Sequence, residues 1–258
     1  PSLFTAAEMD VIRRETEEIV LELAPGRAGT DHVKIAPFTE LRPFLSQLVD
    51  DDRIHSIPAS ILGSDFQFEL SEGHVRYADT PWHGAMTDWR LRNIKISIYL
   101  DTLHKDTGCL RIVPGSHRDY LRLLNSGWWA EAPDYLRAEI HRENRHPFGI
   151  KPSEVPAVYM ESQPGDVIIH TEAVLHAAFG GSARWQVNLS FMEHPKTQEQ
   201  ISWVRNHYKN LQERLRAGGD PNAHSAMRPA QSYLNSDSPR IIKMVSKWAE
   251  LGFEPLDI

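Results

Sequence analysis

The chain has 258 residues, enough for one large domain with a sizeable core. Its formal charge of −7, from 28 basic and 35 acidic residues, argues against a protein that coats nucleic acid. It contains 13 histidines and one cysteine, Cys109, which excludes a disulfide within the chain and disfavours a cysteine-based zinc site. Any metal would therefore be held by histidine and carboxylate.

The N-terminal sequence has no basic segment followed by an apolar run, so no signal peptide is expected. No window approaches the roughly 20 apolar residues that a membrane span needs. We therefore expect a cytoplasmic protein with no membrane association, in which Cys109 is a reduced core residue. The sequence leaves the oligomeric state open.

The first part of the chain, about 1–62, is predicted to be helical. Thr5 and Glu8 form a capping-box pattern, and apolar residues follow at helical spacing until Pro25. A second helix is predicted from Thr39 to about Val49. The acidic run at 50–52 is interpreted as a solvated turn.

From Ser64 onward the apolar residues recur with a period of two, which is typical of strands. The predicted strands cover residues 66–70, 74–77, 93–100, 109–113, 157–160, 166–170 and 185–191, with a turn at 71–73. Many short antiparallel strands with helices before and after them predict a mainly β fold, a jelly roll with helices packed outside. Its core would span about 63–195.

An insertion at 118–156 interrupts this core, and it is interpreted either as an active-site lid or as a helical buttress. The last part, about 196–258, is predicted to be helical again. Its final helix would begin at Ser238 and turn Ile242, Val245, Trp248 and Leu251 inward. No repeat or linker divides the chain, so we predict a single domain, 1–258.

The order of the polar residues suggests a metal site. In a strand, a histidine and the residue two places on point to the same side, and a second histidine can arrive from a distant strand. An arginine further along can hold a carboxylate with its planar guanidinium group. This chain has His83, position 85, His176 and Arg184 in that order.

Three linked motifs carry a family resemblance: TPWH at 80–83, LDTLHKDTGCLRIVPGSH at 100–117 and GDVIIHTEAVLHAAFGGSARW at 165–185. As a set they resemble the phytanoyl-CoA dioxygenase-like family of Fe(II)/2-oxoglutarate enzymes. The resemblance implies a double-stranded β-helix, iron on His83 and His176, and the C5 carboxylate of 2-oxoglutarate on Arg184. It also implies that Ser97 lines the cosubstrate, with Lys95 and Tyr99 on the same face, and that O2 is consumed.

The chain departs from the family at one ligand. The family pattern is His-x-Asp, whereas this chain has Ala85, which carries no ligand atom. The preferred interpretation is a functional gap, as in the iron/2-oxoglutarate halogenases, where chloride binds iron in place of the carboxylate. The alternatives are a hydroxylase that has lost its aspartate, or a replacement of the ligand by Asp88.

The reaction expected from the resemblance is functionalisation of an unactivated C–H bond of a freestanding small metabolite. Candidate residues on the substrate side are Asp88, Trp89, Asn93 and Phe179, and Arg90, Arg92 and Arg111 would suit a charged substrate. His170 is interpreted as a structural neighbour of the metal ligands. Two other classes stay open: a non-catalytic barrel that binds a small ligand, and a zinc hydrolase, which gives no reason for Arg184.

Overall fold

The computed structural model describes residues 2–26, 29, 32–84, 91–118, 152–217 and 228–258. Helices α1 to α6 flank the strands on both sides along the chain: Ala6–Leu23, Pro43–Asp50, Asp52–Leu62, Gln198–Ala217, Gln231–Leu234 and Pro239–Glu250. Short 3-10 helices cover Thr39–Leu41 and Pro152–Glu154. Within these described ranges, no helix combines the length and apolar character needed to cross a bilayer.

The strands β1 to β9 cover His32–Ile35, Phe66–Arg76, Thr80–His83, Asn93–Tyr99, Thr107–Ile112, Val158–Met160, Val167–His170, His176–Gly180 and Arg184–Glu193. They form a five-stranded sheet in the order β1-β2-β9-β4-β7 and a four-stranded sheet in the order β3-β8-β5-β6. Every pairing between these strands is antiparallel. The predicted mainly β jelly roll with flanking helices is confirmed.

The two faces of the larger sheet have different chemistry. On β4, Ile94, Ile96 and Ile98 pack into a hydrophobic core shared with the N-terminal helices and with α5 and α6. The residues between them therefore point to the other face, toward the smaller sheet. There Tyr99 contacts a cluster that includes Cys109 of β5, which is fully buried as predicted. Polar side chains of β4 and its neighbours therefore line the part of the space between the sheets that this apolar cluster does not fill.

The predicted turn at 71–73 was wrong, because β2 runs unbroken from Phe66 to Arg76. The two polar side chains of the mistaken turn, Ser71 and Glu72, are buried but have partners. The Ser71 hydroxyl accepts hydrogen bonds from the backbone N–H groups of Phe38 and Thr39. Glu72 forms ion pairs with Lys34 and Lys95. Polar residues that indicate a turn from sequence alone are stable inside this strand because tertiary contacts satisfy them.

The predictions for the helices are confirmed in part. The capping box of α1 is confirmed, with Glu8 bonded to the backbone and hydroxyl of Thr5. The acidic run is not a solvated turn, because Asp51 caps α3, which the sequence analysis missed. In α6 the start at Ser238 is confirmed, but Ile241 is buried whereas Ile242 is 37% exposed. Val245, Trp248 and Leu251 are buried as predicted, so the predicted inward face is wrong only at Ile242.

A β-bulge in β2 links the sheet to the C-terminal helices. The register with β9 shifts between Phe68 and Leu70, so the Phe68 carbonyl is available to another donor. The indole N–H of Trp248 in α6 donates to that carbonyl at 2.6 Å. The hydroxyl of Tyr208 in α4 donates to the carboxyl group of Glu69, the residue at the bulge, at 2.8 Å. Helices α4 and α6 are thereby both hydrogen-bonded to the β-bulge of β2.

Gly73 offers a test of how closely the helical layer packs on β2. A methyl group at Gly73 would lie within the van der Waals radius of the buried Phe38 ring. We expect Gly73→Ala to lower the free energy of unfolding by about 1–3 kcal/mol, the usual cost of overpacking. Urea denaturation measures the change. In a Phe38→Ala background the same substitution should cost much less, and an equal cost in both backgrounds would contradict this contact.

Candidate active site

The two predicted histidine ligands lie side by side on adjacent strands of the smaller sheet. His83 ends β3, His176 begins β8, and the two residues are direct partners in the antiparallel register. Their ring centroids are 4.1 Å apart, with an angle of 52° between the ring planes. The fold therefore brings together two imidazoles that are separated by more than 90 residues in the sequence.

Both rings are held in the tautomer that suits a metal. The Nδ1 atom of His83 lies 2.8 Å from the Pro81 carbonyl, and that of His176 lies 2.8 Å from the Val174 carbonyl. A carbonyl only accepts, so Nδ1 carries the proton and Nε2 keeps its lone pair. Burial lowers the pKa of His83, and burial followed by the charge of His83 holds the pKa of His176 well below its usual range. Neutral rings with a free Nε2 are the form that binds a metal ion.

A third imidazole lies beside this pair. The His170 ring is 5.0 Å from that of His176, and its Nδ1 lies 3.0 Å from the Thr171 carbonyl. Burial lowers its pKa as well. Even so, among the residues that the structure describes, no three histidine, cysteine, aspartate or glutamate side chains are arranged to hold a metal ion. In this part of the chain the donor set is a pair of imidazoles.

Arg184 is a buried cation whose hydrogen-bond partners, among the described residues, are neutral oxygens. It is 3% exposed, and its guanidinium donates to the carbonyls of Gly180 and Ala78 and to the Thr80 hydroxyl. No carboxylate of the described residues forms an ion pair with it, and burial lowers its pKa. Gly108 permits this placement, because an added Cβ there would lie 2.6 Å from the guanidinium. A buried guanidinium of this kind is suited to an anionic ligand.

The distance between the histidine pair and Arg184 can be read along the strands. The Thr80 hydroxyl contacts Arg184, and Thr80 pairs with Ala178, two residues along β8 from His176. Two to three residues of strand correspond to roughly 7–10 Å. A five-carbon dicarboxylate spans a gap of this order, with a metal–oxygen bond of about 2 Å at one end and a hydrogen bond of about 2.9 Å at the other.

Strand β4 forms the floor between these two ends. At the histidine end, Lys95 pairs with His170. At the other end, burial raises the pKa of Tyr99, and the positive charge of Arg184 opposes that rise. Ser97 lies between them, is 4% exposed, and pairs with Asn188 of β9. The Oδ1 atom of Asn188 is buried and has no hydrogen-bond partner in the described part of the chain. The floor thus retains a hydrogen-bond acceptor that only a donor group can satisfy.

A comparison with protein families shows which family the chain belongs to. The profile of the phytanoyl-CoA dioxygenase (PhyH) family matches residues 1–184. The chain belongs to this family. The family match ends at Arg184.

Individual relatives are more distant. The chain is 27% identical over 127 residues to ectoine dioxygenase of Bordetella bronchiseptica, a match that covers 45% of this chain and 41% of that protein. The chain thus spans less than half of this relative. Among solved structures, it resembles HygX from Streptomyces hygroscopicus with nickel and 2-oxoglutarate bound (19% identity, TM-score 0.55, 74% and 80% of the two chains). It also resembles the epimerase SnoN in complex with Fe3+, alpha ketoglutarate and nogalamycin RO (16% identity, TM-score 0.54, 76% and 78%).

The family's barrel encloses a network of buried charges in this chain, which the sequence analysis did not predict. Lys95 lies 2.7 Å from Glu172 and 3.3 Å from Glu72. Ser190 donates a further hydrogen bond to Glu172 at 3.0 Å. The only sequence signal was the inward position of Lys95 on β4. The acidic partners come from β2 and from the loop after β7, which no local pattern connects.

Glu69 differs from these paired carboxylates. Burial and the nearby negative charge of Glu172 raise its pKa to about 8, although the hydrogen bond from Tyr208 opposes the shift. Its second oxygen, Oε2, is buried without a partner in the described residues. Burial therefore favours the protonated, neutral form of Glu69 over the carboxylate.

The residues predicted for substrate contact divide into three groups. Ala85, Asp88 and Trp89 lie outside the described residues, as does most of the predicted insertion. Asn93 lies near the histidines, where its side-chain oxygen accepts a hydrogen bond from Thr171 at 3.0 Å. Phe179 is not brought to them, because it lies three residues beyond His176 and packs against Trp82.

The arginines suggested for a charged substrate are otherwise engaged or lie outside the described residues. Arg92 forms an ion pair with Glu193 at 2.6 Å. The Arg111 guanidinium lies over the rings of Tyr159 and Phe179 and donates to backbone carbonyls. Arg90 is not among the described residues.

The neutral state of Glu69 leads to a pH prediction. Its pKa is higher in the folded protein, about 8, than the ordinary value of 4.5, so between these values the folded state holds the extra proton. Stability from this group is therefore present below pH 4.5 and is lost as the pH rises to 8. We expect the wild type to lose up to about 1.4 kcal/mol per pH unit relative to Glu69→Gln.

Urea denaturation at several pH values between 5 and 8 measures this difference. The exposed carboxylate of Glu18 provides a matched control, and Glu18→Gln should follow the wild type. Parallel stability curves for the wild type and Glu69→Gln would show that Glu69 is ionised throughout.

Proposed function

We propose that this chain functionalises an unactivated C–H bond of a small metabolite, with radical chlorination as its reaction. Iron(II) would be held by His83 and His176, and the C5 carboxylate of 2-oxoglutarate by Arg184, with Ser97 lining the cosubstrate. The observation that carries the proposal is the direct pairing of two neutral imidazoles at one end of the barrel, with an unpaired buried guanidinium at the other.

The residues present fit these groups. Each histidine offers Nε2 while its Nδ1 is fixed by a carbonyl, and the unpaired Arg184 lies at the distance that a five-carbon dicarboxylate spans. Two structural neighbours, HygX and SnoN, were solved with a metal ion and 2-oxoglutarate. When bound, iron and 2-oxoglutarate would supply the activation of O2, the oxidative decarboxylation of the cosubstrate and the removal of a hydrogen atom from the substrate.

The protein would provide orientation and a dry pocket. Arg184 fixes one end of the cosubstrate, because its own position is fixed by Gly180, Ala78 and Thr80. The carbonyls of Pro81 and Val174 keep both imidazoles in one tautomer and one rotation. These constraints decide which carbon of a bound substrate lies nearest to the metal, and position rather than acid–base chemistry then sets the selectivity.

The choice of chlorination rests on Ala85. An aspartate at this position would supply a negatively charged ligand, whereas a methyl group leaves room beside a cationic metal for a halide. Chloride is therefore the fourth component that we propose, after iron, 2-oxoglutarate and O2. Asp88, Trp89 and Asn93 remain the proposed residues on the substrate side. The alternative is hydroxylation, which the name of the curated relative, ectoine dioxygenase, favours.

Product analysis separates these two reactions. The protein is incubated with Fe(II), 2-oxoglutarate, O2, chloride and a panel of small metabolites, and succinate and substrate products are followed by mass spectrometry. We expect succinate together with a product that shows the chlorine isotope pattern, and a brominated product when bromide replaces chloride. His176→Ala should abolish succinate formation, because one of the two imidazoles is lost.

The variant Ala85→Asp tests the proposed role of the gap. It should lose halogenation, since the carboxylate would occupy the halide position, while succinate formation persists. A wild-type product that is only hydroxylated would contradict chlorination and support the alternative. Halogenation by Ala85→Asp would show that chloride binds elsewhere, and a wild type that forms no succinate and binds no iron would refute the proposed function as a whole.

A further inference from the structure

Arg76 lies beside Arg184 on the same side of the larger sheet. It is the last residue of β2 and pairs directly with Arg184 in the register between β2 and β9. Its neighbour Val75 is fully buried in the core on the helical side, so Arg76 points to the other side, as Glu72 and His74 do. It is half-buried there, at the end of the barrel opposite the histidines.

The two arginines repel each other, and neither forms an ion pair with a carboxylate of the described residues. Glu72 and Asp79 offset the repulsion only from beyond ion-pair distance. Burial and the charge of Arg184 lower the pKa of Arg76. In the described part of the chain, its side chain forms no hydrogen bond and no ion pair. By contrast, Arg53 has two carboxylate partners at 2.6 Å and Arg13 has one at 2.8 Å. Like charges directly opposite each other in a sheet are destabilising. An anion bound between the two guanidinium groups would relieve this repulsion.

Arg184 alone has few donors left for such an anion. Three hydrogen bonds already run from its two terminal nitrogens to Gly180, Ala78 and Thr80. A guanidinium has five N–H donors, so about two remain. All the donors of Arg76 are without a described partner. A carboxylate has two oxygens with about four lone-pair positions, so it can accept from both arginines at once.

We infer that Arg76 is a second binding residue for the distal carboxylate of the cosubstrate, and that it makes the pocket selective for 2-oxo acids that carry two carboxylates. This inference rests on the proposed function, because it assumes that the cosubstrate end of the barrel is the end that contains Arg184. It adds a cationic residue from β2 to a pocket whose other predicted contacts lie on β4 and β9.

Binding of two cosubstrates to the same variants tests the inference. The protein is loaded with Ni(II), which does not turn over, and titrated calorimetrically with 2-oxoglutarate and with 2-oxopentanoate, which lacks the distal carboxylate. We expect Arg76→Gln to weaken 2-oxoglutarate binding at least tenfold and to leave 2-oxopentanoate binding within about twofold. Arg76→Lys, which keeps the charge, should retain part of the preference for 2-oxoglutarate. Arg14→Gln, at an exposed arginine of α1, should change neither affinity.

The outcomes separate this inference from the proposed function. If the wild type binds 2-oxoglutarate and Arg76→Gln binds it equally well, the inference is wrong and the proposed function stands. If Arg76→Gln loses affinity for both acids in equal measure, Arg76 acts through the fold and the inference is again wrong. A wild type that binds neither acid overturns both. Should Arg76→Gln fail to fold, Arg76→Lys must still show a reduced preference between the two acids, and an unchanged preference would count against the inference.

Discussion

The candidate site depends on one register: the pairing of His83 with His176 in the smaller sheet. A shift of β3 by one residue would turn one imidazole to the opposite face of the sheet, since side chains alternate along a strand. The same strand pair holds the register of Thr80 with Ala178, and Thr80 contacts Arg184. Strand pairing therefore sets both the separation of the imidazoles and their distance from the buried guanidinium.

The larger sheet supplies the polar and charged side chains that surround this site. Its helical side is packed with aliphatic and aromatic residues, which fixes the direction of every second side chain on the other side. As a result Lys95, Ser97 and Tyr99 are directed into the barrel. The charge of Lys95 is balanced by Glu72 and Glu172, whereas Arg76 and Arg184 form no ion pair with a carboxylate of the described residues. The barrel thus has a neutralised region near the histidines and a cationic region at the other end.

The fold and the order of the site residues could be predicted because they depend on local patterns. Alternation in β4, the capping box at Thr5 and the spacing of the histidines each reflect a rule that operates within a few residues or along one strand. Ser71 and Glu72 were mistaken for a turn because their partners come from distant segments. The opposition of Arg76 and Arg184 was missed for the same reason, since only the pairing of β2 with β9 places them together. Local sequence patterns do not show which distant residue forms the hydrogen bond or ion pair of a buried polar group.

We propose that His83, His176 and Arg184 hold one metal ion and one dicarboxylate between them. A crystal structure obtained without oxygen, with Fe(II) and the unreactive analogue N-oxalylglycine, tests this proposal. We expect one iron bound to the Nε2 atoms of His83 and His176, and the distal carboxylate of the analogue on the Arg184 guanidinium. Iron bound away from this pair, or an analogue whose distal carboxylate lies apart from Arg184, would contradict it.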